Sequence, residues 1–278
     1  MLDLSLPKTI HALSTPDSLR LKELYPERDL PATPDQCITC RGRKTFLWWD
    51  DPASEGRQPV EYQCPCREQW MLHRFLLNAG IPRSYQVLGW SDLTWIEAGA
   101  QTKATEYLDR REAYVNGGLG MILHGGKGTG KTLLVALILK ALLAQGHDCY
   151  FTTFNALLDV FTGGWHDAEM KRWFHRRIQN AGVLGLDDPG KEMEGRVQLP
   201  PAVLDELIRH RVSDLRPTFV TTNDSLAQFQ TRYGEYVFSL LRERSTTYEF
   251  KGQDSRDLAR GRFHEEIALG LTRPVVLG

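Results

Sequence analysis

Eight consecutive residues, Gly125-Gly126-Lys127-Gly128-Thr129-Gly130-Lys131-Thr132, match G-x-x-x-x-G-K-[ST] at every fixed position. The residue types explain the chemistry. Glycines permit the turns that aim successive backbone N–H groups at phosphate oxygens. A helix starting at the end of the loop adds favourable dipole charge. In that arrangement Lys131 reaches the β- and γ-phosphates of a nucleotide, and the Thr132 hydroxyl ligates Mg2+. An ordinary glycine turn ahead of a helix is the bland alternative, and context separates the two. The apolar stretch from Gly120 to Leu123 predicts a strand before the loop, and the run from Lys131 to Ala144 predicts a helix after it.

A second chemical element is Val183-Leu184-Gly185-Leu186-Asp187-Asp188, an apolar strand that ends on two acids. There Asp187 would hold Mg2+ through water and Asp188 would orient or polarise an attacking water. The bland reading is a strand running into a solvated Asp-Asp-Pro-Gly turn. That turn also puts the acids at the carboxyl edge of a sheet, where such ligands bind. The next strand, Thr218 to Thr222, delivers Asn223 to the same edge. Alone, Thr-Thr-Asn-Asp is a strand-to-turn signal; beside the two preceding motifs, Asn223 reads as a γ-phosphate sensor.

Four of the five cysteines fall in one short stretch: Cys37 and Cys40, then Cys64 and Cys66. In a reducing compartment two close pairs point to tetrahedral thiolate ligation of Zn2+. Two disulfides or a chance cluster are the alternatives. The fifth, Cys149, sits in the apolar run Cys149-Tyr150-Phe151 and reads as a buried core thiol.

These groups need elements to hold them in place. Strands are predicted at 120–123, 149–153, 183–187, 218–222 and 248–250. Helices are predicted at 131–144, 156–161, 169–180 and 202–212, the alternation of a parallel sheet covered by helices. Upstream, Trp70, Met71, Phe75 and Leu76 have helical spacing, ended by Gly80 and Pro82. The tail beyond residue 260 has no clear pattern. The 278 residues carry 34 Lys+Arg against 35 Asp+Glu, so polyanion binding requires a local patch, not a global field. No apolar run approaches the roughly 18 residues of a membrane span. The first thirty residues lack a signal-peptide core, which predicts a cytoplasmic protein without membrane partners.

Taken together, these residues resemble the DnaC-type helicase loaders, a clade of AAA+ ATPases that includes the DnaC, DnaI and IstB groups. The resemblance rests on Gly125 to Thr132, on Asp187-Asp188-Pro189-Gly190, and on Arg211 with Arg216-Pro217-Thr218 leading to Asn223. It continues through Gly234-Glu235 and Gly252-Gln253-Asp254-Ser255-Arg256. The segment from Cys37 to Cys66 resembles the zinc-binding front of DnaI-like and phage-encoded loaders. The resemblance implies a P-loop AAA+ three-layer sandwich with a central parallel sheet, preceded by a small zinc-binding module. It further implies ATP, Mg2+ and Zn2+ as cofactors, and slow, partner-stimulated ATP hydrolysis by Lys131, Asp187, Asp188 and Asn223. The implied partners are a hexameric DnaB-type replicative helicase and single-stranded DNA, with self-assembly on the helicase left open. The chain then divides into a flexible tail (1–36), a zinc-binding, helicase-binding domain (37–80), a linker (81–99) and an ATPase domain (100–278). A transposition ATPase of the IstB type and a small-molecule P-loop kinase are the alternatives. No arginine-rich lid follows the P-loop helix, which disfavours the kinase.

The sequence departs from the family at its arginine finger. Tyr236 and Leu240 stand where arginines are expected, leaving Arg242, Arg244 and Arg256 as finger or sensor candidates. Pro189 replaces an aliphatic residue. For DNA, Lys171, Arg172, Arg176 and Arg177 flank Trp173 and Phe174, a pattern that serves either a single-strand surface or a helix with a solvated basic face. Trp48-Trp49 and the segment from Leu19 to Leu24 are open between partner contact and, respectively, module core and mobile tail.

Overall fold

The computed structural model describes residues 40, 45–48, 60–64, 66–163, 168–189, 199–269 and 273–277. Cys37, Trp49, Gly190 and the segment from Leu19 to Leu24 lie outside the described residues, as do the side chains of Trp48 and Cys66. The chain divides into two compact units, Met1–Phe75 with Thr272–Val275, and Leu76–Leu271 with Val276–Gly278.

In the first unit, β1 (Thr45–Trp48) pairs antiparallel with β2 (Val60–Gln63), in a register running from Thr45 opposite Gln63 to Trp48 opposite Val60. Cys40 and Cys64, one from each sequence pair, are both buried. Helix α1 (Cys66–Asn78) follows and ends at the expected glycine, Gly80, whose φ is +74°.

The second unit is built on a five-stranded parallel sheet in the order β4-β5-β6-β3-β7: β3 (Gly120–Gly125), β4 (Cys149–Thr153), β5 (Val183–Asp187), β6 (Thr218–Thr222) and β7 (Ser245–Phe250). All five residues of β6 and four of the five in β5 are buried, as expected for strands covered on both faces. Helix α5 (Lys131–Ala144) is apolar around nearly its whole circumference and correspondingly buried. It lies so close to β5 that a Cβ at Gly185 would stand 2.7 Å from Leu139 Cδ1. That glycine lets the acidic strand sit directly under the phosphate-loop helix.

Residues 81–99, expected as a linker, are instead folded into this unit. They form α2 (Arg83–Gln86) and a 3-10 turn (Trp90–Trp95), with Ile81, Gln86, Leu93 and Ile96 buried. Local turn residues do not make a linker when apolar residues between them find a core. Helices α3 (Ala98–Asp109) and α4 (Arg111–Asn116) lead into β3.

Helix α6 (Phe154–Gly163) leaves β4 directly. The basic stretch begins in α7 (Ala168–Phe174) and continues as a π-turn, His175–Gln179. Helix α8 (Leu199–Ser213) packs against α10 (Glu235–Glu243), with α9 (Leu226–Tyr233) between β6 and α10. The patternless tail forms α11 (Arg256–Ala268), in which Leu258, Phe263 and Ile267 are exposed. Without a buried stripe, it carries no periodic signal for sequence reading to find.

Arg211 of α8 is fully buried and acts as a polar rivet. Its guanidinium donates to the carbonyls of Ile178 (3.2 Å), Gln179 (3.1 Å), Ala181 (2.8 Å) and Pro217 (2.7 Å), and to Thr218 Oγ1 (2.9 Å). It thereby ties the end of the π-turn to the starts of β5 and β6. Burial, with a contribution from Arg216, pulls its pKa down to about 9. Removing a buried donor strands those acceptors that have no other partner, whereas the Pro217 carbonyl keeps the Leu184 N–H at 3.1 Å. Arg211→Met is expected to cost roughly 3 kcal/mol, lowering the thermal midpoint by about 10 °C. An unchanged midpoint in a calorimetric scan would show that the rivet is dispensable.

Candidate functional site

Three sequence motifs, at residues 125–132, 183–188 and 218–223, converge at the carboxyl ends of β3, β5 and β6. The loop after β3 turns through Gly125 (φ +127°), Gly128 (φ +70°) and Gly130 (φ +94°), left-handed conformations that side chains rarely adopt. At Gly130 a Cβ would also meet Ile96 Cδ1 at 2.3 Å, so the folded 81–99 segment braces the loop from one side. On another side, Ser255 donates from both N–H (3.0 Å) and Oγ (2.8 Å) to the Gly128 carbonyl. Glu97 ties the two flanks together by accepting from the Tyr248 hydroxyl (3.1 Å) and the Lys251 N–H (2.5 Å).

Register brings the acids in. Asp187 stands opposite Thr221 across the β5–β6 pair. Its Oδ1 accepts from Thr221 Oγ1 at 2.5 Å and from Thr132 Oγ1 at 2.7 Å. The next residue, Asp188, has φ +61°, an uncommon conformation for a non-glycine residue. Its N–H donates to the Thr221 carbonyl at 3.0 Å. Its Oδ1 accepts from Asn223 Nδ2 at 2.7 Å. The Asn223 amide is used at both ends, because its Oδ1 accepts from Lys131 Nζ at 3.1 Å. Lys131 is buried and also donates to the carbonyls of Gly125 (2.9 Å) and Gly126 (2.5 Å).

The site therefore unites Lys131, Thr132, Asp187, Asp188 and Asn223 in one hydrogen-bonded cluster. Its donor set suits Mg2+, which prefers hard oxygen ligands such as a hydroxyl and one or two carboxylates beside phosphates. The glycine loop at the N-terminus of α5 suits the phosphates of ATP. Sequence reasoning missed Thr221, Ile96 and Glu97, and named Ser255 only within a motif, without its bond to the phosphate loop. Thr221 was detectable as the register partner of Asp187, whereas the others reach the loop through long-range packing.

Other candidates lie outside this hydrogen-bonded cluster. Arg256 opens α11 beside Ser255, its N–H donating to Asp254 Oδ1 at 2.9 Å. Arg242 stacks over the Phe238 ring and Arg244 donates to the Gly117 carbonyl at 3.3 Å. Tyr236 is exposed, with Arg209 of α8 lying over its ring and donating to its hydroxyl at 2.7 Å. Leu240 packs against the apolar core. In the basic stretch Arg172 and Arg176 are exposed and Lys171 is half-buried. Arg177 lies over the Tyr150 ring and donates to the Asn78 carbonyl. Phe174 and Ile178 are buried and Trp173 packs on the same core, so the aromatics face inward. Of the four zinc candidates, Cys40 and Cys64 are buried; among the described residues no group of three or more His, Cys, Asp or Glu gathers to hold a metal.

Comparison with known proteins matches a family described as "IstB-like ATP binding protein" over residues 67–241. The replicative helicase loader DnaC of Escherichia coli (strain K12) is 25% identical over 150 residues, which span 52% of this chain and 58% of that protein. Among solved structures, the DnaC helicase loader superposes with a TM-score of 0.51 at 24% identity, over 61% of this chain and all of that one. DnaI gives 0.53 at 24% identity, over 61% and 94%. Those two likenesses show a shared fold.

Two substitutions test the cluster through nucleotide affinity. Lys131→Ala is expected to weaken ATP binding at least tenfold with or without Mg2+. Asp187→Asn is expected to remove most of the gain that Mg2+ brings and leave Mg2+-free binding intact. Equal Mg2+ dependence in Asp187→Asn and the parent would separate Asp187 from the metal.

Proposed function

The chain belongs to the IstB-like ATP-binding protein family, with a P-loop AAA+ domain homologous to the DnaC and DnaI helicase loaders, and on that premise we propose that it is an ATP-controlled loader of a hexameric replicative DNA helicase. The observation that carries this reading is the Lys131–Asn223–Asp188 chain of hydrogen bonds, set beside Thr132 and Asp187. Such a chain links the group that touches the γ-phosphate to the acid that handles water. Nucleotide state then changes the sheet edge, and contacts present only with the γ-phosphate bias the whole domain. In this reading ATP is held by Gly125, Gly126, Lys127, Gly128, Thr129, Gly130, Lys131 and Thr132. Mg2+ is held by Thr132 and Asp187, and it would neutralise phosphate charge there. Asp188 orients the attacking water, and hydrolysis is slow until a partner completes the site.

The finer assignments belong to the same proposal. Cys37, Cys40, Cys64 and Cys66 hold Zn2+ in a front module that grips the helicase. The burial of Cys40 and Cys64 beside a two-stranded hairpin supports this reading. Single-stranded DNA is contacted by the exposed Arg172 and Arg176, with Lys171 adjoining; the inward-facing aromatics restrict this surface to phosphate contacts. The protein acts in the cytoplasm; no described helix is long and apolar enough to cross a membrane. A transposition ATPase of the IstB type remains the second reading, because the family match itself names that group.

Purification of the full chain with a DnaB-type helicase, with ATP, with ADP and without nucleotide, tests the proposal. Nucleotide-dependent co-elution, lost when the segment from Cys37 to Cys66 is deleted, is the expected result. Asp188→Asn is expected to keep the complex in its ATP-bound form. Failure to bind helicase, with ATP-dependent binding of a transposase and duplex DNA, would favour the second reading.

A further inference from the structure

Ser255 stands at the N-cap of α11, where a serine hydroxyl ordinarily accepts an N–H of its own helix. Here it makes no such bond. The preceding Asp254 Oδ1 accepts the Arg256 N–H at 2.9 Å, and the serine hydroxyl is free to donate to the Gly128 carbonyl at 2.8 Å. The Ser255 N–H donates to the same carbonyl at 3.0 Å. A carbonyl oxygen has two lone pairs. One residue, 127 positions away in sequence, fills both. Gly128 admits this approach because it lacks a Cβ, which would collide with the Asp254 carboxylate.

The peptide plane transmits this grip. In a trans peptide the carbonyl of one residue and the N–H of the next point in opposite directions. Holding the Gly128 carbonyl against Ser255 therefore turns the Thr129 N–H away from Ser255, into the hollow of the loop. Thr129 is buried, and its hydroxyl donates to the Gly126 carbonyl at 2.9 Å. Among the described residues, no acceptor takes its N–H. A buried N–H is an obligatory donor, and a glycine loop that opens a helix suits an anionic oxygen as the acceptor. Ser255 is itself held in place through α11, which buries none of its own residues. Two turns along that helix Arg262 pairs with the nearly buried Asp92 at 3.1 Å, and the other Asp92 oxygen accepts the Gly89 N–H at 2.9 Å.

Resting on the reading of Gly125 to Thr132 as the phosphate site for ATP, we infer that Ser255 is a positioning residue for the nucleotide: it pins the Gly128 carbonyl outward and so aims the Thr129 N–H at the phosphates. The test is binding of fluorescent analogues of ATP and of ADP to the full chain, in the parent, Ser255→Ala and Ser255→Thr. Ser255→Ala is expected to weaken both analogues about fivefold, the loss of one neutral hydrogen bond. The two fall together because the loop's N–H groups cradle phosphates that ATP and ADP share. Ser255→Thr keeps the hydroxyl and is expected to restore the parent's affinity for both. Unchanged affinity in Ser255→Ala would overturn the inference. So would a loss confined to the ATP analogue, which would put Ser255 in service of the γ-phosphate. A loss as large in Ser255→Thr as in Ser255→Ala would make the role one of packing and overturn it too. If the parent binds neither analogue, the reading of the loop as a phosphate site falls, and this inference with it.

Discussion

A single carboxylate oxygen, Asp187 Oδ1, accepts one hydroxyl from the helix above it and another from the strand beside it. Much of the second unit is arranged to make that possible. Thr132 can reach it only because Gly185 allows α5 to lie flat on β5. Thr221 can reach it because the β5–β6 register sets those residues side by side. The register is fixed at the opposite end by Arg211, which joins the beginnings of both strands. Strand pairing at one edge of the sheet therefore positions the chemistry at the other.

Around this oxygen the candidate site is coupled in two directions. Asn223 links the buried Lys131 to Asp188, whose left-handed backbone is held by β6. The 81–99 segment and residues 250–256 brace the glycine loop on separate sides, and Glu97 bonds the two braces. Groups so densely interbonded tend to change together, because buried polar networks lose heavily when only partly satisfied. That property suits a domain proposed to respond as a whole to one phosphate group.

Legibility followed sequence locality. The loop from Gly125 to Thr132 is contiguous, and its glycines and lysine have few other uses in that order. All five strands of the parallel sheet were readable from apolar runs, although β7 begins three residues earlier than its pattern indicated. Thr221 lay inside a recognised strand but gained meaning only from its neighbour. Lys140 gave no signal, since a lysine in an apolar helix acquires its partners, the carbonyls of Tyr85, Gln86 and Leu88, only through a fold that brings together residues about fifty apart. The basic stretch was legible in composition but left two geometries open; its aromatics, at the end of α7, turn inward just ahead of a π-turn whose end is pinned by Arg211.

The central claim is that the sheet edge distinguishes ATP from ADP through Asn223. The most direct measurement is calorimetric affinity for a non-hydrolysable ATP analogue and for ADP, in the parent and in Asn223→Ala. A preference for the triphosphate in the parent, reduced to near equality in the variant with ADP affinity unchanged, is the predicted result. The same preference in both proteins would contradict it.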